Sequence, residues 1–271
     1  MTGPPPVRMV DRRLGRGQGW DRGGRPAYVL PMLDDSDLSA NPSPAGGAVR
    51  PPVLLVHGFA SSFAHGWQQN GWPDLLADAG RTVLPLDLPG HGTAGTAADP
   101  DAYADVEGHV AAAIAPHAPV DAVGFSAGAR LLLGVAAADP SRLRRLVVIG
   151  LGDALFRPDD HEPLARALES GEATDAVVVQ LFLRLARTAG NDPASLAAFL
   201  RRPAPALDEQ SLSRVTCPVL IVIGDRDFSG PADRLAAALP DAELVVLRGV
   251  DHFAAPRDFT CIDRSLAFLG G

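Results

Sequence analysis

The reading of this chain turns on Gly124-Phe125-Ser126-Ala127-Gly128. The pentapeptide follows an apolar run at Ala122-Val123 and opens the Ala/Leu-rich stretch 127–138, so a serine stands on a strand-to-helix turn. Such a turn strains its central residue, and glycines two positions away on either side remove the Cβ atoms that would crowd it. Only the serine side chain then protrudes. The Ala127 amide, at the start of the helix, faces the same space, where the positive helix end favours a developing negative charge. In a chain with 28 glycines the same five letters also fit a chance tight turn, so their weight comes from what surrounds them.

Outward from this turn, strand-like and helix-like segments alternate. Strands are expected at 53–56, 82–86, 122–123, 146–149, 219–223 and 244–247, and helices near 72–79, 102–115, 127–138, 232–239 and 259–269. The alternation predicts βαβ units: an α/β fold with a mostly parallel central sheet covered by helices on both faces. Residues 153–213 break the pattern, with helix-like segments at 162–169, 174–187 and 193–200 and no strong strand. The expected division is a flexible N-terminal segment over 1–27, rich in Pro, Gly and Arg, a core over 28–152 and 214–271 starting with a strand at Tyr28-Val29-Leu30, and a helical cap insertion over 153–213.

Composition narrows the function. In 271 residues there are 24 basic and 32 acidic side chains, a net charge of -8 that argues against nucleic acid as a partner. All the basic residues are arginine, which excludes lysine Schiff bases, Ser-Lys dyads and a P-loop lysine. Cys217 and Cys261 make neither a disulfide framework nor the short paired spacing of a zinc site. No apolar run is long enough to span a membrane, and Arg12-Arg13 lacks the apolar region of an export signal, so the expected location is cytoplasmic.

Three further motifs sit at the ends of expected strands: His57-Gly58-Phe59 after 53–56, Gly224-Asp225-Arg226-Asp227 after 219–223, and Asp251-His252-Phe253 after 244–247. In an open parallel sheet, ligands and reactive side chains gather at that edge, where Ser126, Asp227 and His252 can converge. A serine hydroxyl needs an imidazole to take its proton, and the imidazole needs a carboxylate to fix its tautomer. Asp225 and Asp251 read as turn formers, and Asp153 as a less favoured substitute acid. His65, His109, His117 and His161 share no ligand spacing with Cys, Asp or Glu, so no metal is expected.

With these motifs, and with Gly90-His91-Gly92 after the strand ending at Leu86, the sequence from about Tyr28 to Leu269 resembles the α/β-hydrolase fold family, in particular its cap-bearing small-molecule hydrolases. The resemblance implies Ser126 as nucleophile, Asp227 as acid, His252 as general base, the Phe59 and Ala127 amides as oxyanion hole, residues 153–213 as cap, and no cofactor. Gly58 is expected to let the backbone bend so that the Phe59 amide faces Ser126. Phe125, Phe228 and Phe253 flank motifs, Trp67 follows the oxyanion loop, and Phe156 and Phe182 lie in the cap at helical spacing. These six are candidate substrate-binding residues for a small molecule with an apolar acyl or ring portion, although each also suits the core.

The expected activity is hydrolysis of a small carboxylic ester, or a thioester, through an acyl-enzyme. Three alternatives stay open: carbon–carbon bond hydrolysis of a ring-cleavage dienoate, cofactor-free haloperoxidase-type perhydrolysis, and a noncatalytic module that captures a small ligand under the cap. The serine at the elbow disfavours dehalogenase and epoxide hydrolase chemistry, for which the family uses aspartate. The sequence leaves the oligomeric state open.

Overall fold

The computed structural model describes residues 50–157, 160–172 and 175–270. The segment 1–27 and the strand expected at Tyr28-Val29-Leu30 lie outside these residues. Six strands, β1 (Val53–Val56), β2 (Val83–Leu86), β3 (Val120–Phe125), β4 (Leu143–Ile149), β5 (Val219–Gly224) and β6 (Ala242–Leu247), form one parallel sheet in the order β2-β1-β3-β4-β5-β6. The chain winds outward in both directions from β1 and β3, which places the end of β3 and its elbow at the middle of the sheet's carboxyl edge.

Sequence explains the layering. The central strands β1 and β5 are wholly buried runs of Val, Leu and Ile, as a sheet covered on both faces requires. The edge strands β2 and β6 are partly exposed, and β2 carries Pro85, which a sheet tolerates at its edge. β3 begins earlier than its apolar pair suggests because Asp121 is buried within it, bonded to Arg81 and Arg144.

Alternate strand residues feed two cores. Leu54, Val56, Ala122, Leu146 and Val148 pack with α3 (Val106–Ile114), α4 (Ala127–Ala138) and α9 (Asp233–Ala238). Val53, Leu55, Val123, Val147 and Ile149 face Trp67, just past α1 (Phe63–Gly66), and α2 (Trp72–Asp78) and α10 (Phe259–Leu269). Between β4 and β5 the described residues form α5 (Glu162–Ser170), α6 (Val177–Ala189), α7 (Pro193–Arg201) and α8 (Glu209–Leu212), with no strand among them. Leu168, Leu183, Leu196 and Phe199 of this helical insertion join the first core. Arg201 of α7 bonds Glu162 and Glu169 of α5, an exposed clasp that adds little beside that apolar contact.

Candidate active site

Ser126 occupies the elbow between β3 and α4 with φ 52° and ψ -115°, a conformation a serine holds only where its surroundings enforce it. Its amide donates to the Ile149 carbonyl (2.8 Å). A Cβ on Gly128 would lie 2.3 Å from the Val56 carbonyl oxygen, and one on Gly124 would lie 2.6 Å from the Ala129 Cα. The two glycines are therefore set by close backbone approach, as the sequence suggests.

Three strand ends bring three side chains together. The Ser126 Oγ lies 3.1 Å from Nε2 of His252, whose Nδ1 lies 2.9 Å from both carboxylate oxygens of Asp227. A carboxylate only accepts, so Nδ1 carries the proton, and in the neutral ring Nε2 is then the nitrogen that can accept from the serine hydroxyl. Asp227 Oδ1 also accepts the Ser229 amide and hydroxyl, each at 2.8 Å. Burial alone would raise the Asp227 carboxyl, but the His252 and Ser229 bonds outweigh it and hold the group below the ordinary carboxylate range. Asp225 accepts the Gly249 amide and Asp251 the Ala254 amide, both at exposed turns, so neither competes for His252. The hydrogen bonds of the imidazole go to Asp227 and Ser126 and not to Asp153, whose Oδ1 is buried with no hydrogen-bond partner among the described residues.

Phe59 and Ala127 line the same cavity as Ser126 and His252. Ala127 is the first residue of α4, so its amide has no acceptor within the helix, and the Phe59 amide has none among the described residues. The role expected of Gly58 changes. It has no positive φ; a Cβ there would lie 2.8 Å from the Phe125 ring, and the left-handed residue of this loop is Ala60, with φ 61°.

The cavity measures about 1090 Å³ and opens between the sheet edge and the insertion helices. Of the expected substrate-binding residues, Phe156, Phe182 and Phe228 line it. Phe125 and Phe253 do not; their rings stand 4.8 Å and 5.2 Å from the His252 ring and support it from outside the cavity. Trp67 is a correction. It is buried on the other face of the sheet, edge-on to Trp72 at 5.2 Å, because α1 carries the chain away from the Phe59 loop and into the second core.

The comparisons agree with this architecture. A family model described as the alpha/beta hydrolase family matches residues 53–260. The chain belongs to the alpha/beta hydrolase family. It is 27% identical to a 2-hydroxy-6-oxononadienedioate/2-hydroxy-6-oxononatrienedioate hydrolase of Cupriavidus pinatubonensis, over 83% of this chain and 88% of that one. It is 30% identical to a pimeloyl-[acyl-carrier protein] methyl ester esterase of Aromatoleum aromaticum, over 75% of this chain and 91% of that one. The enol-lactonase of Burkholderia xenovorans superposes with a TM-score of 0.65 at 18% identity, covering 82% of this chain and 92% of that one, a likeness of fold.

Three polar residues shape the loops of this alpha/beta hydrolase site: His57 and His91 stand in motifs already quoted, whereas Asp87 escapes a motif reading. His57 holds the ends of β1 and β2 together: its Nδ1 donates to the Gly58 carbonyl (2.8 Å) and its Nε2 accepts the Leu88 amide (3.0 Å). Burial keeps it neutral, lowering its pKa against the raising influence of Gly58 and Asp87. Asp87 accepts the Phe63 and Thr93 amides (2.7 and 2.8 Å), fixing the loops on both sides of the Phe59 backbone. His91 packs edge-on to Phe199 at 4.8 Å and to Phe59 at 5.6 Å, beside the loop that carries the Phe59 amide. Among the described residues no three His, Cys, Asp or Glu side chains gather as metal ligands, and no helix is long and apolar enough to cross a membrane.

Proposed function

We propose that this member of the alpha/beta hydrolase family is a serine hydrolase that cleaves a small carboxylic ester, or a thioester, through an acyl-enzyme. The relay from Ser126 Oγ through His252 to Asp227 carries the proposal. Ser126 Oγ attacks the carbonyl carbon while His252 Nε2 takes its proton. The oxyanion rests between the Phe59 and Ala127 amides, and Asp227 stabilises the imidazolium. Collapse expels the alcohol or thiol with the proton from His252. Water, deprotonated by His252, then attacks the acyl carbon, and the acid leaves as Ser126 regains its proton. No cofactor enters this sequence.

The helices of 153–213 act as the cap. Phe156, Leu164, Phe182 and Phe199 with Phe228 give the cavity an apolar wall suited to an acyl chain or ring. The two unpaired buried cysteines fit a reducing, cytoplasmic setting. Steady-state assays on short-chain activated esters test the reading: Ser126→Ala should lose about 10⁴-fold or more in kcat with its fold intact, and retained turnover would sink the assignment.

The Cupriavidus relative favours a second reading, carbon–carbon bond hydrolysis of a dienoate ring-cleavage product by the same three residues. A vinylogous diketo acid turned over far faster than simple esters would select it.

A further inference from the structure

A buried polar side chain joins its own loop to two others. Asn191, in the connection between α6 and α7, is buried. Its Nδ2 donates to the Ala60 and Ser61 carbonyls, each at 2.9 Å, and its Oδ1 accepts the Gly92 amide at 2.8 Å. Its own backbone is fixed at both ends. Gly190 closes α6 in a left-handed cap, the Asn191 amide donates to the Ala186 carbonyl (3.0 Å), and Asp192 caps α7 by accepting the Ser195 amide (2.8 Å). The carboxamide thus projects from a rigid helix junction.

Its targets lie one and two residues beyond the Phe59 amide. Gly58 to Ser61 form a turn closed by the Ser61 amide on the Gly58 carbonyl (3.3 Å), and its third residue, Ala60, has φ 61°. Turns of this shape ordinarily give that position to glycine, because an alanine Cβ resists it. The Asn191 donors hold the carbonyl of this strained residue and the next. The helices on either side of Asn191 also grip the Phe59 ring, with Phe182 of α6 at 5.6 Å and Phe199 of α7 at 6.0 Å.

We propose that Asn191 is a positioning residue for the oxyanion hole, coupling the placement of the insertion helices to the direction of the Phe59 amide. The proposal rests on the serine hydrolase reading for its catalytic consequence, though not for the coupling itself. Because the Phe59 amide acts on charge that develops in the transition state, loss of Asn191 should fall on kcat and spare KM.

Asn191→Ala and Asn191→Asp, which both remove the two donors, should lower kcat for an activated short-chain ester about 10- to 100-fold with KM within about twofold. Asn191→Asp keeps an acceptor for Gly92, so equal losses in both assign the effect to the donors. Amide hydrogen exchange across residues 58–62 should quicken in both variants, a readout that needs no turnover. In the wild-type protein the Gly92 and Ser61 amides should exchange through one common opening, which tests the coupling even if both variants fail to fold. A folded variant with unchanged kcat and unchanged exchange, a rise in KM alone, or independent wild-type openings would overturn the proposal. Absent wild-type turnover combined with quickened exchange would overturn the hydrolase reading and the catalytic role of Asn191, and leave the coupling standing.

Discussion

Asp227 meets His252 with both carboxylate oxygens 2.9 Å from Nδ1, so the imidazole ring has one orientation in which its other nitrogen faces Ser126. Asp227→Asn would replace an acceptor with a group able to donate, favouring the tautomer that cannot receive the serine proton. The expected loss is about 10⁴-fold in kcat with little change in thermal midpoint, on the pattern of serine proteases. Asp225→Asn should stay within about threefold in kcat/KM, since that carboxylate only closes a turn on Gly249. Equal losses in the two variants would show that the acid has been misassigned.

Stability should fall in mild acid because of two buried histidines. Burial, with help from His57, pushes His91 down to about 3, and burial lowers His57. Unfolded, each titrates near about 6.5, so the unfolded chain binds more protons than the native one as pH drops below that value. Stability is then lost by up to about 1.4 kcal/mol per pH unit for each histidine until the folded-state pKa is passed. Nε2 of His91 has no hydrogen-bond partner among the described residues, so a phenyl ring gives up only the bond between Nδ1 and the Pro89 carbonyl (3.0 Å). Urea unfolding at pH 5, 6 and 7 should give His91→Phe a shallower slope by about one proton; parallel slopes would contradict the account.

The base of the sheet depends on Asp121. This fully buried carboxylate bonds Arg81 and Arg144, and Arg81 also donates to the Leu269 (2.6 Å) and Pro51 (2.7 Å) carbonyls, joining β3 to the end of α10 and the entry to β1. Asp121→Ala leaves two guanidinium groups without their anion and should cost about 3–5 kcal/mol in denaturant unfolding. It lies at the opposite end of β3 from Ser126, so activity per folded molecule should survive. Loss of activity in a stable variant would place the cluster in the reaction instead.

Both thiols should be inert in the native protein. Burial pushes Cys217 up to about 11 and Cys261 up to about 12, and the thiolate is the reactive form. Iodoacetamide at pH 8 should label neither until the protein is unfolded, when mass spectrometry should find two adducts. Rapid native labelling would contradict the packing around them.

What the sequence discloses and what it hides follow from the range of each signal. The elbow, the order of strands and helices and the helical insertion are legible because they rest on contiguous apolar runs and on glycines that a tight turn demands. α10 falls on its expected span, Phe259–Leu269, while β3 and β6 run longer than their apolar cores because Asp121 and Glu243 interrupt the pattern. Trp67 misleads because nearness in sequence to the oxyanion loop says nothing about which sheet face the next helix will take. Asn191 escapes notice because Gly190-Asn191-Asp192 reads as an ordinary helix stop and start. Its three partners are 131, 130 and 99 residues away.

The claim that Ser126 is an activated nucleophile is tested most directly by treating the protein with a small fluorophosphonate and reading intact mass and peptides by mass spectrometry, with Ser126→Ala as control. The account predicts one adduct, on Ser126, that the control lacks. No adduct, or one on another residue that persists in Ser126→Ala, would contradict it.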